Sequence, residues 1–344
     1  MLKLRRGRVV AADPLVVEVD GERRSAWVDS NLIGQVEPGD EVLVNTEALD
    51  LGLGSGGFDV VHANLTRGLS AGGEAEEHVM KLNYTSLQHS VEPVEVPYGD
   101  AEEHERSPAR PPLLVIHLHG QLAPAAWAAG TAAPGLRVGY VQTAGGALPG
   151  TLSKVVSDLR ERGLLAGHIT VAPCYGGEHE AISLVGAFDA AAERLGWDAV
   201  IAGPGPGILG SATRYGHGGM AALDSVHASL ALGFPTLLAP RMSGADPRPR
   251  HRGVSHHTEA VLTLLLAPVS VAAPEGNEPA VEAIRAACID RHELVEAPAD
   301  LDGYSSSGLP TRTMGREMDE DPEFFAPALA GGGALAAAAG RAGA

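Results

Sequence analysis

From Pro112 onward, short apolar runs alternate with longer segments of helical periodicity, and few folds accept that rhythm. The runs cover residues 113–118, 136–142, 168–172, 198–202, 235–239 and 268–272. Between them, residues 152–162, 179–195, 219–232, 256–266 and 278–288 carry apolar side chains at helical spacing. A run that is apolar throughout suits a strand covered on both faces, the setting of a parallel sheet. Strands joined by crossover helices predict an α/β fold: a doubly wound, Rossmann-like parallel sheet over residues 113–290.

The first 70 residues follow a different rhythm. Short strand-like runs near 7–10, 15–19, 24–28 and 41–45 are separated by turn signals at Asp13-Pro14, Asp20-Gly21 and Glu37-Pro-Gly-Asp40. Several short strands at this spacing predict a small N-terminal β-barrel-like domain. Residues 71–112, with Glu102, Glu103, Glu105 and several prolines, read as a solvated connector. Residues 291–330 lose periodicity and read as irregular, and the Ala/Gly-rich 331–344 as a disordered tail.

Charge narrows the partners. The chain has 25 basic and 43 acidic residues, a formal net charge of −18. Such an excess opposes sequence-independent binding to nucleic acid or an anionic membrane surface. The longest apolar stretch, near 260–273, is broken by Pro268 and falls short of the roughly 20 residues that span a bilayer. Met1–Arg8 precedes only four apolar residues and does not read as a signal peptide. Two cysteines, Cys174 and Cys288, build no disulfide framework and suit a reducing compartment. The expectation is a soluble cytoplasmic protein, with room for a homo-oligomer.

In an open parallel sheet, ligands bind beyond the carboxyl ends of the strands. Glycine and polar residues crowd the segments that follow five of these strands. After the fourth comes Gly203-Pro-Gly-Pro-Gly-Ile-Leu-Gly210, then Ser211. Gly203, Gly205, Gly207 and Gly210 let main chain approach a ligand beside a helix N-terminus. No Gly-Lys-Ser/Thr follows, so this is not a P-loop, and its prolines remove donors that a pyrophosphate would use. A tight turn and a cradle for a smaller anion both remain open.

After the fifth strand, Arg241, Arg248, Arg250 and Arg252 surround one acid, Asp246. Guanidinium forks suit carboxylate or phosphate, so the island is expected to hold a small anionic ligand; surface neutralisation is the plainer alternative. His117 and His119, two apart on a strand, are expected to share one face. With His179, His256 or His257 they would transfer protons at a catalytic site. With those residues, His251 or Asp246 they would instead form a metal site, and no diagnostic spacing selects one. Cys174, five residues before His179, is either an activated thiol or packing. The hydroxyl- and arginine-bearing segment 305–316 is either a lid or an ordinary surface loop.

The β domain, Gly203-Pro-Gly-Pro-Gly207, the run Asp246-Pro-Arg-Pro-Arg-His-Arg-Gly-Val-Ser-His-His-Thr258 and Thr311-Arg-Thr-Met-Gly-Arg316 together resemble a bacterial family known as domain of unknown function 3866. The resemblance covers nearly the whole chain and carries no activity or cofactor. The residues point to an enzyme acting on a small anionic metabolite at the carboxyl edge of the sheet. The alternative is a non-catalytic ligand-sensing or assembly module whose β domain binds a protein partner.

Overall fold

The computed structural model describes residues 2–52, 56–68, 79–95 and 110–342. The chain divides into two compact units, Met1–Val91 and Glu92–Ala344. In the first, β1 (Leu4–Ala12), β2 (Leu15–Val19), β3 (Glu22–Trp27), β4 (Glu41–Asn45) and β5 (Asp59–Asn64) close a barrel in the order β1-β2-β3-β5-β4. Its pairs are antiparallel except β3 with β5. Single-turn helices α1 (Ser30–Ile33) and α2 (Glu47–Asp50) occupy its connections, and a hairpin of β6 (Val79–Lys81) and β7 (His89–Val91) ends the unit.

Period-2 alternation explains the barrel core. Val17 and Val19, Val42 and Val44, and Val61 point inward from three strands and are buried. Asp20 and Gly21 both have positive φ, 51° and 84°, as the tight turn between β2 and β3 requires. Two buried carboxylates brace the walls. Asp59 takes both Nε and Nη2 of Arg24, at 2.5 and 3.1 Å. Asp40 takes two bonds from Arg67, at 3.0 and 2.8 Å, and one from Asn64 at 2.9 Å.

The second unit opens with β8 (Leu113–Ile116), α3 (Leu122–Ala132), β9 (Val138–Thr143), α4 (Lys154–Glu161), β10 (Gly167–Val171), β11 (His179–Ala181) and α5 (Leu184–Glu193). It continues with β12 (Ala199–Pro204), α6 (Ala221–Ala231), β13 (Thr236–Ala239), the two-residue strands β14 (Met242–Ser243) and β15 (Gly253–Val254), and α7 (His256–Leu264). Then come β16 (Ser270–Pro274), α8 (Glu278–Ala287), β17 (Glu293–Ala297), α9 (Leu301–Ser305), β18 (Arg312–Thr313), β19 (Arg316–Glu317) and α10 (Pro322–Ala342).

Eight strands form one sheet in the order β11-β10-β9-β12-β8-β13-β16-β17, every pair parallel. Leu113 and Val115 pack into one core with α5, α6, α7 and α8; Leu114 and Ile116 pack into another with α3, α9 and α10. Helices therefore cover both faces, as the alternating apolar runs predicted. Neighbouring strands β8 and β12 send their connections in opposite directions, β8 toward β9 and β12 toward β13. That reversal opens a crevice at their carboxyl ends, where open α/β sheets take ligands.

The tail and the C-terminal segment depart from expectation. Residues 331–342 belong to α10, and most of that stretch through Ala336 is buried. Its small residues serve close approach: a Cβ on Gly332 would lie 2.1 Å from the Ala125 carbonyl of α3, and one on Gly331 would lie 3.2 Å from Leu114. The stretch expected to be irregular supplies β17 and α9, so the sheet runs past residue 290. The acidic run Glu102–Glu105 of the expected connector lies outside the described residues. Among the described residues no helix is long and apolar enough to cross a membrane.

Candidate functional site

Strand β8 stops at Ile116, which puts His117 just beyond the sheet edge. Its main-chain N–H and that of Leu118 both donate to Gln121 Oε1, at 3.0 and 3.1 Å. Gln121 Nε2 donates to the Pro240 carbonyl at 3.1 Å, tying the turns after β8 and β13 together. The His117 ring is fully buried, with Nδ1 3.4 Å from the Gly219 carbonyl and Nε2 without a hydrogen-bond partner. Burial pushes it down to about 3.

His119 faces elsewhere, because residues 119–121 form a helical turn in place of the expected strand. Its Nδ1 lies 3.3 Å from the Pro204 carbonyl, and its Nε2 lies 2.7 Å from Ser153 Oγ. A carbonyl only accepts, so Nδ1 carries the proton and Nε2 accepts the Ser153 hydroxyl hydrogen. That same oxygen accepts from Val156 N–H at 3.1 Å and caps α4. Burial lowers His119 to about 4.

A cavity of about 200 Å³ lies at the same edge. The segment after β12 lines one side through Leu209, Gly210 and His217; Arg241, Arg248, Arg250 and His251 come from beyond β13, and His256 and His257 open α7. The ladder β14–β15 pinches off the loop 244–252, and Ser255 caps α7 by accepting from His257 N–H. The histidines touch one another. His217 stacks on His257 with centroids 3.7 Å apart and planes 8° from parallel; His256 stands 4.5 Å from His257, and His251 4.7 Å from His256.

Hydrogen bonds fix the proton on two of these rings. His217 Nε2 donates to the Arg214 carbonyl at 3.1 Å, leaving Nδ1 as a buried lone pair with no hydrogen-bond partner among the described residues. His256 Nδ1 donates to the Arg250 carbonyl at 3.2 Å, leaving Nε2 as a lone pair. His257 Nδ1 accepts Arg241 Nη1–H at 2.9 Å. Burial, followed by nearby Arg241, holds His257 far below the usual range and His251 at about 3. Burial also lowers His217 and His256. The cluster is neutral at pH 7.

Arg241 is 2 % exposed. Its Nη2 donates to Met314 Sδ at 3.6 Å and lies 3.6 Å from Asp246, while its Nε has no hydrogen-bond partner among the described residues. Burial and the charge on Arg248 lower it to about 10. Asp246, wholly buried, takes both arms of Arg248 at 2.9 Å and lies 3.6 Å from Arg316. Arg316 in turn binds Asp321 at 2.9 Å. Guanidinium groups outnumber the carboxylates that touch them.

The expected residues therefore divide. Arg241, Arg248, Arg250, His256, His257 and Gly210 reach the cavity, although Arg248 is held by Asp246. Arg252 donates to the Asp246 carbonyl at 2.9 Å and lies off the lining. Gly203 and Gly205 are packing positions: a Cβ would sit 2.3 Å from Ile116 Cγ1 and 2.4 Å from the Ala147 carbonyl. Gly207, at φ 70°, turns the chain, and Ser211 Oγ is spent on the Gly216 carbonyl at 2.9 Å. His179 lies on edge strand β11, four strands from β8 and level with Val115 through the ladders. At about 4.8 Å per strand it is roughly 19 Å away, outside this site. Cys174 is buried.

His217 was not singled out from the sequence, and Met314 and Arg316 entered only as members of the segment 305–316, read as a lid or a surface loop. A histidine flanked by Gly216 and Gly218 inside the longest glycine-rich turn was the available signal for the first. The other two come from a segment whose docking over the site depends on distant packing; Thr313 Oγ1 would stand 2.6 Å from a Cβ on Gly120.

The family model described as protein of unknown function DUF3866 matches residues 25–332. The chain belongs to this family. The match includes the glycine turn, the arginine loop and the segment carrying Met314 and Arg316, so the DUF3866 pocket lies within the matched residues. No curated protein and no solved structure matches the chain.

Proposed function

We propose that this DUF3866 protein is an enzyme acting on a small metabolite that carries a phosphate or carboxylate group. One observation carries the reading. A buried guanidinium, Arg241, keeps an unpartnered Nε and only a 3.6 Å approach to its nearest carboxylate, beside a cavity lined with neutral imidazoles. A buried cation left short of hydrogen bonds costs free energy that an anionic ligand recovers. Arg250, exposed at the rim, has no side-chain partner among the described residues and supplies a second contact for the same anion. The lone pairs on His217 Nδ1 and His256 Nε2 add two unprotonated acceptor nitrogens to the same site.

The test is calorimetric titration of inorganic phosphate into the wild-type chain and the Arg241→Ala variant. Loss of a charge-assisted contact is expected to weaken binding by about 1.5–3 kcal/mol, roughly 10- to 150-fold. Arg241→Lys should restore only part, because an ammonium cannot make the two-pronged contact. Equal affinity in wild type and Arg241→Ala rejects the reading.

A further inference from the structure

The histidine cluster has features that anion binding alone does not use. His217 and His256 each spend one ring N–H on a backbone carbonyl, at 3.1 and 3.2 Å, which fixes the other nitrogen as a lone pair. Metal-bound histidines characteristically have this arrangement, because the outer hydrogen bond sets tautomer and ring orientation. One nitrogen from each of His217, His256 and His257 lies within 4.8 Å of the other two. His217 Nδ1 is also buried with nothing to accept from, a cost that a proton donor or a cation would remove. From these observations we infer that His217, His256 and His257 hold a borderline divalent cation of the zinc type, leaving a fourth position for water or the anionic substrate. This rests on the pocket proposed above and names what the imidazole lone pairs hold there.

The donor set fits that class of ion. Three imidazoles with an open position make a catalytic-type zinc site, whereas magnesium and calcium take oxygen ligands. Zn–N bonds of about 2.0–2.1 Å bring tetrahedral nitrogens to about 3.3 Å from one another, so the three rings must draw in. Coordination lies in the ring plane, yet His217 and His257 stack face to face, so one must rotate about χ2, a broad torsion for histidine. His257 is the ligand that has to be released, since its Nδ1 accepts from Arg241. An anion that draws the Arg241 guanidinium away frees that lone pair. Arg241 thus competes with the metal when the pocket lacks an anion and assists it when an anion is present.

The experiment uses the full chain, stripped with a chelator and titrated with Zn²⁺ by calorimetry and with Co²⁺ by visible absorption. The expected result is one ion per chain, with a tetrahedral Co²⁺ spectrum. His217→Gln and His256→Gln should each weaken Zn²⁺ binding at least tenfold, since loss of even an outer-shell partner costs about 10- to 100-fold. Arg241→Gln, which removes the competing donor and a nearby positive charge, should bind Zn²⁺ more tightly while losing phosphate affinity. Circular dichroism checks the fold of each variant, and the Arg241→Gln gain is a readout that no misfolded protein would give. Absence of one-to-one uptake, or equal uptake in wild type and both histidine variants, overturns the metal site. If phosphate binding depends on Arg241 while no metal binds, the metal inference alone is lost. If Zn²⁺ binds as expected and phosphate ignores Arg241, the metal site stands and the anion reading is lost.

Discussion

The barrel and the sheet pocket treat buried charge in opposite ways. In the barrel, Asp59 and Asp40 are nearly inaccessible, and each accepts two bonds from one guanidinium. In the pocket, Arg241 is as deeply buried but its Nε has no hydrogen-bond partner among the described residues, and neither has His217 Nδ1; off the lining, the same holds for His117 Nε2 and Arg316 Nη2. Among the described residues, five buried side-chain nitrogens and oxygens lack a hydrogen-bond partner; two belong to residues lining the pocket and none lies in the barrel. Buried polar groups are ordinarily satisfied, so a local concentration of exceptions marks a place shaped for something other than stability. The barrel's ion pairs are structural. The pocket leaves polar atoms unsatisfied, which is what the proposed anion would answer.

That contrast predicts opposite responses to losing a buried charge. Asp59→Ala removes one partner of a well-made pair and leaves Arg24 with only Asp50, so it should destabilise the first unit by about 3 kcal/mol or more. Hydrogen exchange of the β3 and β5 amides in the full chain reads this directly. Unchanged protection would mean that the barrel does not depend on its paired charge. Arg241→Ala should cost less than Asp59→Ala, because Arg241 Nε has no hydrogen-bond partner among the described residues and Asp246 retains both arms of Arg248. A loss as large as that of Asp59→Ala would make Arg241 a structural residue and erase the distinction.

Next in size is a pH effect carried by His119. Its folded value is lowered to about 4 by burial, against an ordinary value of 6.5. Between those values the unfolded chain binds more protons than the folded one. Stability is therefore complete above pH 6.5 and is lost as pH falls toward 4. His119→Gln should remove one proton from this linkage and flatten the slope of unfolding free energy by up to about 1.4 kcal/mol per pH unit. Denaturant unfolding at several pH values measures it; an unaltered slope would mean that His119 titrates normally.

What the sequence made legible follows from range of interaction. Alternating apolar runs report burial on both faces, which is local, so the parallel sheet and the barrel could be anticipated. The basic loop was legible because four arginines near one aspartate is an anomaly visible within a dozen residues. By contrast, the Ala/Gly-rich part of α10 from residue 331 reads as a disordered tail, because glycine weakens isolated helices. Only the close approach of Gly332 to the Ala125 carbonyl, across two hundred residues, explains why glycine belongs there. His117 and His119 read as sharing one strand face because nothing local announces the helical turn that parts them. Which arginine remains free for a ligand depends on where Asp246 points, and spacing does not encode that.

The smallest expected effect separates two arginines of one loop. Arg250 lines the cavity rim with no side-chain partner among the described residues, whereas Arg252, two residues on, donates to the Asp246 carbonyl and lies off the lining. Both are exposed and both add the same charge to the region. A general field would make them equivalent for anion binding, while a directed contact would not. Arg250→Ala should weaken phosphate binding several-fold, about 1 kcal/mol, as befits a contact screened by solvent. Arg252→Ala should leave both phosphate affinity and unfolding free energy within about 0.5 kcal/mol of wild type. The titrations should be run at low and high salt, since screening shrinks a field effect more than a direct hydrogen bond. Equal losses that vanish together at high salt would reduce the arginine island to a diffuse positive patch. A loss confined to Arg250 that survives salt would assign the rim contact to one side chain.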